Sequence, residues 1–210
     1  MNKLEAIDLE KKFKDNLIFS HVNVEFEEGK IYGIVGENGS GKTVFLKTLC
    51  GLLKPSSGKV VYNGKTLKED FDFLPSIGII IEKPGFFDEM TGFDNLKLLA
   101  SIQNTINDDR IREVLEYVHL DNNKKVVKKY SLGMKQRLGI AQAMMENPDI
   151  LILDEFSNAL DTEGVEMTHN LLRDLKQQNK IIIITSHSKF DIETLCDHVY
   201  SFKKGIMSHA

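Results

Sequence analysis

The sequence predicts an α/β fold: a mainly parallel sheet covered by helices on both faces, with an antiparallel β region at the N-terminus and a helical insertion in the middle. Three observations predict it. Short apolar runs, Ile31 to Val35, Ile77 to Ile81, Ile150 to Leu153 and Ile181 to Thr185, are unbroken rather than alternating, as strands buried on both faces are. Helix-spaced segments alternate with the strands, which is the pattern of parallel crossovers. Between about Lys83 and Asn147 the spacing is helical throughout, so the sheet is interrupted there by an inserted lobe.

Taken in order, Leu4 to Leu9 alternates apolar and charged residues and reads as a half-buried strand. Val22 to Phe26 repeats the pattern, and Glu28-Gly29 turns the chain into the buried strand Ile31 to Val35. Thr43 to Leu53 has helical spacing, with Phe45, Leu46 and Leu49 on one side, and Pro55-Ser56-Ser57-Gly58 breaks it. Lys59 to Tyr62 reads as an edge strand and Ile77 to Ile81 as a buried one, ended by Pro84-Gly85. Three helical stretches follow, around Leu96 to Ile102, Ile111 to Val118 and Met134 to Met144. The strands Ile150 to Leu153 and Ile181 to Thr185 flank another helix, and His198 to Phe202 reads as the last strand. The expected organisation is one domain over 1–210, with a core and β subdomain in 1–82 and 148–210 and a helical subdomain in 83–147.

Bulk properties narrow the function. The 27 basic and 31 acidic side chains give a net charge of −4, which supplies no broad attraction to nucleic acid. Cys50 and Cys196 are too few for a disulfide framework and lie in apolar helix-like stretches, as small core residues do. The N-terminus, Met1-Asn2-Lys3-Leu4-Glu5, lacks the basic-then-apolar order of a signal peptide. The apolar runs fall far short of the roughly 20 residues of a membrane span. The expectation is a cytoplasmic chain whose membrane role, if any, needs a partner.

Gly36-Glu37-Asn38-Gly39-Ser40-Gly41-Lys42-Thr43, with Val44 next to it as a further nucleotide-binding candidate, follows the buried strand and opens a helix. This is where a phosphate-binding loop must sit. Glycines allow tight turns and close approach, and successive N–H groups at a helix N-terminus attract anions. Lys42 reaches the β- and γ-phosphates, and the Thr43 hydroxyl suits Mg²⁺. The competing reading, a glycine-rich turn with an accidental Lys-Thr, does not require the strand-to-helix context. Farther on, Ile150 to Leu153 ends in Asp154-Glu155. Carboxylates at the end of a buried strand fall beside such a loop in a parallel sheet. Asp154 suits Mg²⁺ binding and Glu155 suits activating water.

Tyr130-Ser131-Leu132-Gly133-Met134-Lys135-Gln136-Arg137 resembles the signature motif of ATP-binding cassette (ABC) ATPases, usually Leu-Ser-Gly-Gly-Gln. Leu132 replaces its first glycine and Met134 its glutamine, while Ser131 and Gly133 remain. The resemblance implies a P-loop NTPase (RecA-like) core that binds and hydrolyses ATP with Mg²⁺. It also implies a head-to-tail dimer in which Ser131 and Gly133 of one subunit contact the γ-phosphate held by the other.

Four further positions match in order. Phe13 stands where the family carries an aromatic against adenine. Asn158-Ala159-Leu160-Asp161 looks like the loop that crosses the dimer interface, with Asn158 and Asp161 as its contacts. His187 in Thr185-Ser186-His187 matches the histidine that senses γ-phosphate. Glu82 stands where most of the family has a metal-side glutamine. A carboxylate there either tightens Mg²⁺ binding or repels phosphate. The glutamate and the Tyr-Ser-Leu-Gly-Met signature together resemble the ATPases of bacitracin- and lantibiotic-type self-protection exporters.

The implied function is an ATP-hydrolysing subunit, homodimeric or paired with a second ATP-binding subunit, that powers an exporter of peptide antibiotics or other hydrophobic compounds by ATP-driven dimerisation. It would sit at the inner membrane face against a separately encoded transmembrane permease, with Phe86 and Phe87 as candidate contacts. Two other readings stay open at this point. A soluble ABC ATPase of DNA repair or translation would normally carry coiled coils or two cassettes. A non-hydrolysing regulatory module would have no use for Glu155 and His187.

Overall fold

The computed structural model describes residues 2–121 and 124–210. Met1, at the head of the N-terminal segment, and residues 122–123, within the expected helical subdomain, lie outside the described residues.

Two sheets organise the chain. In the first, β1 (Lys3–Phe13) pairs antiparallel with β2 (Asn16–Glu27) on one side and β4 (Ser57–Tyr62) on the other, and β5 (Lys65–Thr66) extends β4. Leu4, Ala6, Leu9, Phe19, Val22, Val24 and Phe26 are buried along its inner face, which is why the alternating pattern forms strands. The second sheet has six strands in the order β10-β9-β3-β8-β7-β6. These are β3 (Lys30–Val35), β6 (Ile77–Ile80), β7 (Ile150–Leu153), β8 (Ile181–Thr185), β9 (His198–Lys203) and β10 (Ile206–His209), with only β10 antiparallel among them.

The unbroken apolar strands serve two cores at once. Ile150 and Ile152 of β7 and Ile181 and Ile183 of β8 face the first sheet and helix α1 (Lys42–Leu49). Leu151, Leu153, Ile182 and Ile184, the residues between them, face the other way. That second core is made with helices α2 (Gly92–Gln103), α3 (Asp108–Tyr117), α4 (Leu132–Met144) and α5 (Thr162–Gln177). Each buried branched side chain contributes roughly 1.5–3 kcal/mol, so these two central strands anchor the molecule. The packing of α4 on β6 leaves no slack: a Cβ on Gly78 would lie 1.8 Å from the Ala143 carbonyl oxygen.

Some elements differ from the sequence expectation, for local reasons. Helix α1 stops at Leu49, not Leu53, because Gly51 takes φ +86° and turns the chain out before Pro55 is reached. Strand β6 ends at Ile80, since Glu82 adopts φ +63° two residues later. Strand β4 is not the sheet edge, because β5 pairs with it. Strand β10 was not anticipated. It folds back through Lys204 and Gly205, whose φ values of +48° and +77° suit a tight hairpin. Nor was helix α6 (Lys189–Leu195), which Ser188 caps by accepting from the Asp191 N–H. Cys50 and Cys196 are free thiols, and burial pushes the Cys196 thiol up to about 12. Among the described residues no helix is long and apolar enough to cross a membrane.

Candidate active site

The loop from Gly36 to Gly41 joins β3 to α1, so the strand aims it and the helix N-terminus closes it. Gly39 and Gly41 have φ of +77° and +108°, which side-chain-bearing residues rarely adopt. Gly36 is needed for space, since a Cβ there would lie 2.4 Å from the Phe202 carbonyl oxygen. Lys42 is 7% exposed and folds back over the loop, its Nζ donating to the carbonyls of Gly36 (2.7 Å) and Glu37 (3.1 Å). The Ser40 hydroxyl is buried within the loop with no hydrogen-bond partner.

Strands β7 and β8 bring the acidic pair alongside. Asp154 is 4% exposed and accepts two hydroxyl hydrogens, from Thr43 on Oδ2 (2.8 Å) and from Thr185 on Oδ1 (2.7 Å). Thr185 in turn accepts from the Glu155 N–H (2.8 Å), which fixes Glu155 in a left-handed conformation with φ +51°. Such a conformation in a non-glycine residue is tolerated only where neighbours hold it. His187 Nε2 lies 3.2 Å from Glu155 Oε1 but is not aligned with it as a hydrogen bond. Both Glu155 carboxylate oxygens are therefore sealed from solvent without a hydrogen-bond partner. A buried acceptor left unpaired is costly, and a water or a ligand proton is what would satisfy it.

Glu82 is handled differently. Its carboxylate is mostly exposed and accepts from Lys47 Nζ of α1 at 2.7 Å. The structure does not bring it to Thr43 or Asp154. The segment it begins is nonetheless fixed to α4, because Pro84 fills the space where a Gly139 Cβ would stand, 2.9 Å away.

The signature segment lies on a separate surface. Ser131 caps α4 by accepting from the Met134 N–H at 3.1 Å. Gly133 approaches the Ala159 carbonyl so closely that a Cβ would be 2.8 Å from it. Asp161 caps α5 and also takes a 2.7 Å bond from Arg137. That guanidinium and the Gly164 N–H hold the Asp161 carboxyl below the usual carboxylate range. These groups line a cleft of about 520 Å³ with His119, Leu120, Leu132 and Met134, and no residue of the Gly36–Thr43 loop reaches it. The loop with its acidic pair and the signature segment with its cleft are thus two separate groups in one chain. They are linked by Gln136, whose Nε2 donates to the Phe156 carbonyl beside Glu155.

The remaining predicted residues fall around these two groups. Phe13 sits at the β1–β2 hairpin end, 45% exposed, with Lys11 Nζ 4.7 Å from its ring centre. On the same hairpin, Ile18 abuts Gly41. Val44 lies in the first turn of α1, and Asn158 donates its N–H to the Glu155 carbonyl. Sequence reasoning missed Thr185, Lys47 and Gln136. Thr185 was legible only as the polar end of an isoleucine run beside His187 and Gln136 only as a member of the signature segment, and nothing marked Lys47.

Comparison with known proteins places these features. Residues 19–158 match the ABC transporter family. The chain is 43% identical over 96% of its length, and 93% of the relative's, to an uncharacterized ABC transporter ATP-binding protein of Bacillus subtilis (strain 168). It is 41% identical to the bacitracin transport ATP-binding protein BcrA of Bacillus licheniformis, over 96% of its own length and 67% of the relative's. The lantibiotic transport ATP-binding protein SrtF of Streptococcus pyogenes is 34% identical over 93% of this chain and 85% of its own. The fold matches a solved ATP-binding subunit of an ABC transporter with a TM-score of 0.89 at 23% identity, covering 98% of this chain and 89% of that one.

Proposed function

The chain belongs to the ABC transporter family as an ATP-binding, ATP-hydrolysing subunit, and from that premise we propose that two copies, or this chain and a related one, close head to tail around two ATP molecules to drive export of peptide antibiotics. The single observation that carries the composite site is the pair of half-sites on different faces: the loop with Asp154 and Glu155, and the Ser131–Gly133 helix start over its own cleft.

In this reading the loop N–H groups and Lys42 bind the triphosphate, Phe13 stacks on adenine, and Ser131 and Gly133 of the second subunit reach the γ-phosphate. Glu155 takes the proton of the attacking water at its sealed carboxylate, and His187, whose Nε2 lies 3.2 Å from Glu155 Oε1, orients that water. Asn158 and Asp161 meet the other subunit. The donor set suits Mg²⁺: a hydroxyl and a carboxylate are hard oxygen ligands, and they already converge at Thr43 and Asp154. When bound, the ion neutralises charge between the phosphates. Glu82 joins that set only by releasing Lys47. Replacing it with glutamine should then raise the Mg²⁺ concentration for half-maximal hydrolysis by about threefold, since an amide is a weaker ligand than a carboxylate. An unchanged titration would leave Glu82 as a partner of Lys47 alone.

The 83–147 region acts as the moving lobe, with Phe86 and Phe87 toward a separate transmembrane permease, and the dimer works on the cytoplasmic face of the membrane without nucleic acid. The substrate class follows from the relatives, whose names place them in bacitracin and lantibiotic transport. Deleting the gene in its own host should increase sensitivity to such peptides, and a Glu155→Gln allele should not restore resistance. Unchanged sensitivity across bacitracin and lantibiotics would remove that substrate assignment and leave the ATPase reading intact.

A further inference from the structure

Behind the catalytic strand ends lies a buried polar chain that the reaction itself does not use. His169, in the middle of α5, is 3% exposed, and its Nε2 is 2.9 Å from Asp191 Oδ1 of α6. Asp191 is 1% exposed, and its Oδ2 accepts from the Ser186 hydroxyl at 2.7 Å. Ser186 Oγ also accepts from the Ser188 N–H at 3.0 Å and stands 3.3 Å from Ser157 Oγ. A hydroxyl has one hydrogen, and that of Ser186 goes to Asp191, so Ser157 is the donor in the last contact. An aspartate carboxylate only accepts, so His169 carries its hydrogen on Nε2. The chain thus converges on Asp191, with donors directed toward it from both ends. The ring of His169 is held by Phe190, stacked at 5.7 Å, and by Phe156 at 6.2 Å.

The placement of this chain gives it a consequence. Ser186 immediately precedes His187, and Ser157 is two residues past Glu155. His187 and Glu155 are themselves not hydrogen-bonded to each other. The Ser157–Ser186 contact is therefore a direct tie between the two loops that bear them. We infer that His169 is a positioning residue: through Asp191 and Ser186 it locks the His187 loop to the Glu155 loop, so that the orientation of α5 sets the distance between base and histidine. Helix α5 begins at Asp161, which is capped and paired with Arg137 of α4. The state of that surface is thereby conveyed along α5 to His187.

This inference rests on the roles given above to Glu155 and His187. The test uses the full-length chain and three substitutions, with steady-state hydrolysis, ATP affinity by fluorescent-analogue displacement, and thermal melting read for each. His169→Leu removes the donor at similar volume, and kcat should fall about tenfold, as a small misplacement of reacting groups costs, while ATP affinity changes less than about twofold. His169→Gln keeps an N–H donor in reach of Asp191 and should restore at least half of kcat. Ser157→Ala cuts the tie near the surface, where folding is not at stake, and should lower kcat by about threefold or more. If His169→Leu does not fold, Ser157→Ala decides alone. Unchanged kcat in Ser157→Ala, or His169→Gln as impaired as a folded His169→Leu, overturns the inference. Glu155→Gln run in parallel separates the two levels: normal turnover there refutes the base assignment, whereas an inactive Glu155→Gln beside a normal Ser157→Ala refutes only the coupling.

Discussion

Glu155→Gln should lower kcat for ATP hydrolysis by about 10²- to 10⁴-fold, the contribution of a positioned general base, with ATP affinity retained or improved. The physical case lies in the site's accounting of protons and charges. Asp154 accepts from Thr43 and Thr185 through its two oxygens, so protonating it would disturb bonds that hold the site together. Glu155 has both oxygens sealed and unpartnered. Of the two carboxylates only Glu155 can accept a proton without dismantling the site. Glutamine has the same shape and can hold the same water, but it cannot take the proton. Binding survives because the triphosphate ligands, Lys42, Thr43 and the loop N–H groups, are untouched. Removing one negative charge beside the γ-phosphate also lessens repulsion in the bound state. Measuring phosphate release and nucleotide binding on the same preparation checks both halves of the expectation.

Lys42→Ala acts at the earlier step. Its ammonium bridges the Gly36 and Glu37 carbonyls, and in the proposed bound state it is the loop's charged phosphate donor. Two effects add. A hydrogen bond to a charged group is worth about 1.5–3 kcal/mol, so ATP should bind about 10- to 100-fold more weakly on that ground alone. The loop also loses the brace that keeps its two carbonyls turned inward, so its N–H groups converge less well on phosphate. Hydrolysis should fall to background at ordinary ATP concentrations. Isothermal titration with ATP reads the affinity directly. Binding equal to the unsubstituted chain would mean that the loop's N–H groups hold the triphosphate unaided.

How far the sequence disclosed this molecule differs from element to element. Strands β7 and β8 were legible to the residue, because a strand buried on both faces has to be apolar at every position. The Gly36–Thr43 loop was legible because its conformation demands glycine at fixed places. Helix α1 was overrun, since Leu52 and Leu53 continue the apolar spacing although Gly51 has already turned the chain; Leu52 is in fact exposed. Strand β10 and helix α6 escaped because they are short and carry polar faces, so neither shows a sustained period. Within the site, Asp154, Glu155 and His187 announce themselves by standing at strand ends. Thr185 also ends a strand, but its partners do not show in the sequence, and Lys47, Gln136 and the His169 chain carry no such mark. Their importance comes from which strands lie side by side, and the order β3-β8-β7 is a property of the folded sheet that no local pattern encodes. Glu82 drew attention as a residue type, but its partner, Lys47, lies on another element and became visible only in three dimensions.

The central claim is that ATP joins two half-sites carried by different subunits. Sedimentation velocity of the Glu155→Gln chain tests it most directly, because blocked hydrolysis traps the closed state. That chain should be a monomer without nucleotide and a dimer with saturating ATP. Adding Ser131→Asp to it should keep it monomeric. Aspartate caps a helix as well as serine does, so α4 stays intact, but its carboxylate stands where the second subunit's γ-phosphate must approach. A Glu155→Gln chain that stays monomeric with ATP bound, or one that dimerises as readily with Ser131→Asp, would contradict it.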